Sequence, residues 1–459
     1  MEKATLSQGL KNRHVTMLSI AGAIGAGLFV GSGHAIAAAG PAVLISYFLA
    51  GTLVVLVMRM LSEMAVAQPD SGSFSTYADR AIGKWAGFTI GWLYWWFWVL
   101  VIPFEANAAA AIMHSWMPTA PIWFLAFLIT AALTVTNLFS VKNYGEFEFW
   151  LATVKVGSII IFIAIGCAAI FGFSPNPQVN GIQHLYDQGG FLPTGWGTVI
   201  AAILTTMFSF MGSEIVTIAA SESKDPEKQI TKATNSVIWR IALFYLVSIF
   251  IVVSLVPWND PRLAEIGSYQ TVLQILNVPY AKLIVDIVVL TAVTSCLNSA
   301  LYTASRMLFS LSVRGDAPKI AQKLSKNRAP IYAVLLSTLV AFLCTFANYA
   351  APTEVFSFLL DSSGAIALLV YLVIAFSQLR MRKQLAQEGK PLRMKMWLFP
   401  YLTWAVIIFI IAALTIMAFD PKHVHEITST GILSLLVVIS GVLVTRRAKR
   451  KQVMASTIS

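Results

Sequence analysis

Ala21-Gly22-Ala23-Ile24-Gly25-Ala26-Gly27 lies in the middle of the first apolar run of the chain, roughly Thr16 to Ala39. Each glycine inside a helix costs about 1 kcal/mol against alanine. Three in seven residues therefore predict a segment that is helical on both sides and broken in the middle. Within a bilayer, the N–H and C=O groups freed by such a break are tolerated only where protein buries them or a water-filled cavity meets them. A second run, Thr198 to Ala220, carries the same kind of defect at Phe208-Ser209-Phe210-Met211-Gly212-Ser213-Glu214. Small residues also serve close helix packing, but two matched breaks point to a solute site at the bilayer midplane.

The rest of the chain agrees with a membrane setting. Of 459 residues, 57% are hydrophobic and 12% charged, too little polar surface to clothe a soluble globule. Apolar runs of about 18 residues or more begin near Thr16, Pro41, Trp85, Ile122, Trp150, Thr198, Val237, Ala281, Ile331, Val355, Trp397 and Thr428. They predict an all-α integral membrane protein with twelve transmembrane helices in one membrane domain, residues 1–459. The polar segment Met1 to His14 precedes a run too long for a signal-peptide core, so the first span is expected to remain as an uncleaved anchor.

Twelve spans place both termini on one side, and the distribution of Lys and Arg decides which. Of the 32 basic residues, all but Arg262, Lys282, Lys422 and Lys155 fall in segments assigned to the cytoplasmic side, Arg240 and Arg306 among them. Both termini are thus expected on the cytoplasmic side of a multi-pass membrane protein. The net charge of +11 follows from this asymmetry and from contact with anionic headgroups of the lipid bilayer, and implies no nucleic-acid partner.

Cys167, Cys296 and Cys344 all fall inside apolar runs with no metal-like spacing, and the six histidines offer no ligand pair on one helical face. No disulfide, metal or cofactor is expected; Cys296, flanked by Ser295 and Asn298, is the one cysteine placed to face a polar cavity. Gln68 to Lys84 reads as a turn followed by a short helix, whereas Phe173 to Gly197 and Pro257 to Tyr280 read as outer loops. Trp92 to Trp98 reads as an aromatic packing face.

Ionisable residues within spans are expensive and mark function by default. They are Glu105, Lys155, Glu214, Asp286 and Asp361. Glu214 follows the second break directly and is the prime candidate for coupling or gating, against a structural role for the broken backbone. Glu105 follows Pro103, a kink site, where it can line the cavity or neutralise a cation. Lys155 lies about one turn into its span, where snorkelling to the interface is the plain alternative. Asp286 is expected near the outer interface, and Asp361 in a polar Asp361-Ser362-Ser363-Gly364 step.

Several stretches resemble a known family. Gly22 to Phe29, Arg59-Met60-Leu61-Ser62-Glu63-Met64, Gly145-Glu146-Phe147-Glu148-Phe149-Trp150 with Lys155 behind it, and Phe208 to Glu214 are similar to the amino-acid transporter family of the amino acid-polyamine-organocation superfamily. Gly91 to Trp95, Asn235 to Arg240 and Thr294 to Tyr302 are most similar to its bacterial permeases for 4-aminobutyrate (GABA). Relatives for proline, β-alanine, aromatic or small neutral amino acids share much of the pattern.

The resemblance implies a 5+5 inverted repeat with helices 1 and 6 broken: residues 15–172 and 198–378, two peripheral helices at 397–446, and cytoplasmic tails 1–14 and 447–459. It implies no enzyme but a secondary transporter, with an amino-acid substrate and protons as partners. A substrate carboxylate would meet the N–H groups near Gly25, Ala26 and Gly27 at a helix N-terminus, and its ammonium the carbonyls of Ala23, Phe208 and Met211. Phe208 would form an aromatic lid and Tyr94 a wall, while Lys155 would stand where sodium-coupled relatives hold a cation. Many relatives carry Ser or Thr at position 26; Ala26 offers no hydroxyl. A membrane enzyme would need a clustered nucleophile, base or metal set, and a channel a repeated filter, neither of which is found. A transporter-like sensor remains as the other alternative.

Overall fold

The computed structural model describes residues 10–21, 24–139, 141–173, 176, 179, 181–350, 352–389, 392–419 and 424–458, with the side chains at 20–21, 141–143, 204, 347–350, 352–364, 425–427 and 447–458 outside the description. Ala23 and the side chain of Asp361 fall outside it.

The first apolar run forms α1 (Asn12–Ala21) and, beyond the break, a π-helical turn Gly27–Gly31 that continues into α2 (Ser32–Ala39). A 3-10 turn, Gly40–Ala42, leads to α3 (Val43–Ala67). Gly40 adopts φ +66° and Pro41 sits at the first turn position, so the chain reverses there with no β-carbon to obstruct it. A short helix α4 (Ser73–Ala81) follows, as the sequence suggests, and then α5 (Lys84–Trp116), α6 (Ile122–Phe139) and α7 (Val141–Ile170). Pro103 lies inside α5 without ending it.

The second broken run comprises α8 (Trp196–Phe210) and α9 (Ile215–Ser221). Next come α10 (Pro226–Arg240), started by Asp225 accepting from the Lys228 N–H, a π-helical stretch Ile241–Val247, and α11 (Ser248–Leu255). The connection Pro257 to Tyr280 departs from the loop expected there: it folds α12 (Arg262–Glu265) and α13 (Ser268–Ile275) onto the first run. The Ser268 and Ser32 hydroxyls bond at 2.7 Å, and the Tyr269 ring packs 4.8 Å from Phe29. Backbone contact makes this fit possible, since a β-carbon on Gly267 would meet the Phe29 carbonyl oxygen at 2.6 Å. The chain ends with α14 (Ala281–Val313), α15 (Ile331–Ala350), α16 (Pro352–Gln387), α17 (Tyr401–Ala418) and α18 (Val424–Ile458).

Helices thus occupy the position of every apolar run. Among the described residues ten helical spans are long and apolar enough to cross a membrane; Gly27–Ala67 counts as one of them although it turns at Gly40, and Ile331–Phe346 is a shorter apolar helix. The two broken runs sit at the centre. Here α1 packs on α7, α9 and α10; α8 packs on α2, α3 and α16; and α5 lies along α14. The last two helices pack on the outside and expose most of their apolar length.

Candidate site at two broken helices

A helix that stops inside an apolar medium leaves carbonyls at one end and N–H groups at the other without partners. In this protein side chains from the surrounding helices fill those positions. At the first break the Ala26 N–H donates to both carboxylate oxygens of Glu105, at 3.2 and 3.1 Å. The Lys155 ammonium donates to the Ile24 carbonyl at 3.0 Å. The positive end of the α2 segment therefore meets an anion, and the carbonyl before it a cation.

At the second break Met211 is extended and Gly212 adopts φ +101°, a conformation that favours glycine. The Gly212 N–H donates to the Glu214 carboxylate at 3.1 and 3.2 Å, and the Tyr94 hydroxyl donates to the same carboxylate at 2.8 Å. Glu214 is thus a hydrogen-bond partner of the broken backbone. Tyr94 holds Glu214 through its hydroxyl, a contact beyond the wall expected of it. Glu105 and Tyr94 both come from α5, about three turns apart and hence on one face, so a single helix serves both breaks.

The breaks also touch each other. The Ser209 hydroxyl donates to the Gly27 carbonyl at 2.8 Å, and a β-carbon on Gly27 would stand 3.0 Å from Ser209 Cα and 3.1 Å from the Phe208 ring. The Phe208 ring packs edge to face against Phe104, with centroids 4.8 Å apart. Cys296, 5% exposed, faces the first break from α14: a β-carbon on Gly25 would meet its Cβ and Sγ at 2.8 Å and would collide with a Glu105 oxygen. Met211 is buried beside Gly212. The structure gathers Gly25, Ala26, Gly27, Tyr94, Glu105, Lys155, Phe208, Met211, Glu214 and Cys296 in one region.

Burial removes the alternative for Lys155 and adds to the setting of two arginines. Lys155 is fully buried and does not snorkel, because the Ile24 carbonyl and, 3.9 Å away, the Glu148 carboxylate hold it inside. Arg240 and Arg306, assigned from sequence to the cytoplasmic side, are 3% and 1% exposed. Arg306 pairs with Glu222 at 3.4 Å and lies 4.0 Å over the Tyr302 ring, while the Tyr302 hydroxyl donates to Glu222 at 2.8 Å. Arg240 donates to the Ser19 carbonyl and to the Ser213 hydroxyl. Asp286 pairs with Lys282 at 2.7 Å, away from the breaks.

Three contributors escaped the sequence reading. Glu148 accepts from the Ser295 hydroxyl and, at 3.5 Å, from Asn298, so it ties α7 to α14 behind Lys155. Its signal was the spacing to Lys155, seven residues and thus two turns on one face. Tyr245 donates to the Ser209 carbonyl at 2.8 Å from the π-helical stretch, and Arg240 is the third; Arg240 falls inside the apolar run that begins near Val237, a signal absorbed by the positive-inside count, whereas Tyr245 had none short of the fold.

Comparisons with known proteins identify the family. A family profile described as "Amino acid permease" matches residues 14–456. A protein named "Probable GABA permease" from Pseudomonas aeruginosa is 66% identical, over 97% of this chain and 94% of its own length. The "Gamma-aminobutyric acid permease" of Escherichia coli is 64% identical over 97% and 95%. An aromatic amino acid transport protein of Corynebacterium glutamicum is 40% identical over 96% of each. The crystal structure of a manganese transporter from Eremococcus coleocola, in complex with an aromatic bis-isothiourea substituted compound, is similar in fold, with a TM-score of 0.57 and 14% identity over 96% of this chain and 94% of that one.

Proposed function

The chain belongs to the amino acid permease family, and from that membership we propose that it is a secondary active transporter importing GABA across the bacterial inner membrane by proton symport. Its spans cross twelve times in a 5+5 inverted repeat, with both termini cytoplasmic and α17 and α18 peripheral. The observation that carries the mechanism is the Glu105 carboxylate on the Ala26 N–H. That N–H opens the outer half of helix 1, where a substrate carboxylate is expected to bind. Glu105 and the substrate therefore compete for one donor.

The competition supplies a coupling device. When the substrate carboxylate takes the Ala26 N–H, Glu105 loses its hydrogen bonds in a buried place, and an unpaired buried carboxylate is too costly to persist. It takes up a proton, and substrate and proton then travel together. The substrate ammonium is met by carbonyls of Ala23, Phe208 and Met211, with Phe208 as lid. Glu214, tied to Tyr94, gates the inner side, and Lys155 replaces an alkali cation.

GABA is favoured as substrate because the relatives of 64–66% identity carry its name, whereas the aromatic amino acid transport protein stands at 40%. The test is uptake of radiolabelled GABA into proteoliposomes, competed by GABA, β-alanine, proline and phenylalanine. Saturable uptake competed best by GABA is the expected result. Uptake competed better by proline or phenylalanine overturns the substrate, and binding without uptake points to a sensor.

A further inference from the structure

Arg240 closes α10 with only 3% of its surface exposed, and its two terminal nitrogens reach α1 and the second break. The Ser19 carbonyl lies in the last turn of α1, where carbonyls lack intrahelical partners and the helix dipole is negative. Ser213 stands inside the second break, next to Glu214, and its hydroxyl in turn donates to the Phe210 carbonyl at 2.8 Å. A planar guanidinium can hold two acceptors in a fixed fork, which a single ammonium cannot. The π-helical stretch after Arg240 also brings Tyr245 to this break, so α10 and its extension grip it at Ser213 and Ser209. A buried cation retained here must act through its partners, because burying it without them costs several kcal/mol, on the order of the desolvation penalty for one ion.

We propose that Arg240 is a positioning residue for transport, clamping α1 to the start of α9 so that these two half-helices close the cytoplasmic path as one body. The inference rests on the transporter reading, in which α1 and α9 are the inner halves of the broken helices. Neither Glu105 nor Lys155 performs this task, since both act on the residues after α1.

Cys296 beside Gly25 provides a native reporter behind the clamp, in a background of Cys167→Ser and Cys344→Ser that removes the other two thiols. The protein is reconstituted, and a membrane-impermeant maleimide is applied from the cytoplasmic face without substrate; GABA binding and uptake are measured in parallel. In Arg240→Gln we expect Cys296 to be labelled about fivefold faster from that face, uptake Vmax to fall about tenfold and GABA affinity to change less than about threefold. Arg240→Lys, which can hold one acceptor, and Ser213→Ala, which removes one, should shift labelling in the same direction by less. If Arg240→Gln does not fold, these two variants decide. Unchanged labelling in Arg240→Lys and Ser213→Ala overturns the clamp, as does a parallel loss of binding, uptake and thermal stability with no change confined to the cytoplasmic face. Absence of GABA uptake by the wild-type protein would instead count against the transport reading, and the labelling comparison would still stand.

Discussion

Gly27 and Gly212 both exclude a β-carbon, for different reasons. At Gly27 the two broken helices touch: a β-carbon would stand 3.0 Å from Ser209 Cα, which is backbone and cannot swing aside. Gly27→Val should therefore part the helices and break the Ser209 bond to the Gly27 carbonyl. Overpacking of about 1–3 kcal/mol lowers GABA affinity about tenfold or more. A binding isotherm of the reconstituted variant checks this, and wild-type affinity would remove Gly27 from the site. Gly212 is constrained by conformation instead, at φ +101°. Gly212→Ala should destabilise the protein by about 1–3 kcal/mol, read as an earlier unfolding midpoint in detergent. The strain falls on the N–H that holds Glu214, so transport should drop as well.

Lys155 and Glu148 show how an element works through its neighbours. Two turns of α7 set an ammonium on the Ile24 carbonyl and a carboxylate on Ser295 and Asn298 of α14, so the first break is braced against two helices. Lys155→Met leaves Glu148 buried with its cation gone, at a loss of about 3–5 kcal/mol. Lys155→Met combined with Glu148→Gln should recover much of that stability and none of the transport. Thermal unfolding and uptake of the single and double variants test it; a double variant as unstable as the single one would show that the pair is not the cause. At this scale the limits of the sequence are plain. The breaks were legible because glycine at membrane depth has few other uses, and Glu105, Lys155 and Glu214 because a charge in an apolar run demands a partner. Which partner was not legible. Arg240 and Arg306 were counted with the cytoplasmic charges, and their acceptors at Ser19 and Glu222 lie far away in sequence. The helices α12 and α13 were hidden because they are short and are flanked by Pro257, Pro261, Gly267 and Pro279, which give the whole connection the look of a loop.

The whole molecule holds two carboxylates on backbone N–H groups at two breaks, and the proposed proton symport asks which one would exchange the proton. Glu105 shares its N–H with the expected position of the substrate carboxylate; Glu214 holds Gly212 and Tyr94, and the proposal gives it the inner gate. Glu105→Gln keeps shape and fixes the group neutral, so the substrate no longer competes with an anion for Ala26. GABA binding and counterflow should persist, while accumulation driven by a pH gradient should fall about tenfold or more. Glu214→Gln retains an oxygen for the Gly212 N–H and should depress counterflow and gradient-driven accumulation together, as a gate does. On the proposed mechanism, with the Lys155 ammonium standing in for a cation, a protonophore should collapse accumulation in the wild type, and replacing sodium by potassium at fixed membrane potential should leave it unchanged. These measurements on one set of proteoliposomes separate the roles: wild-type accumulation by Glu105→Gln removes it from the proton path, a selective loss of accumulation in Glu214→Gln transfers that role to Glu214, and a strict sodium requirement rules out the built-in cation.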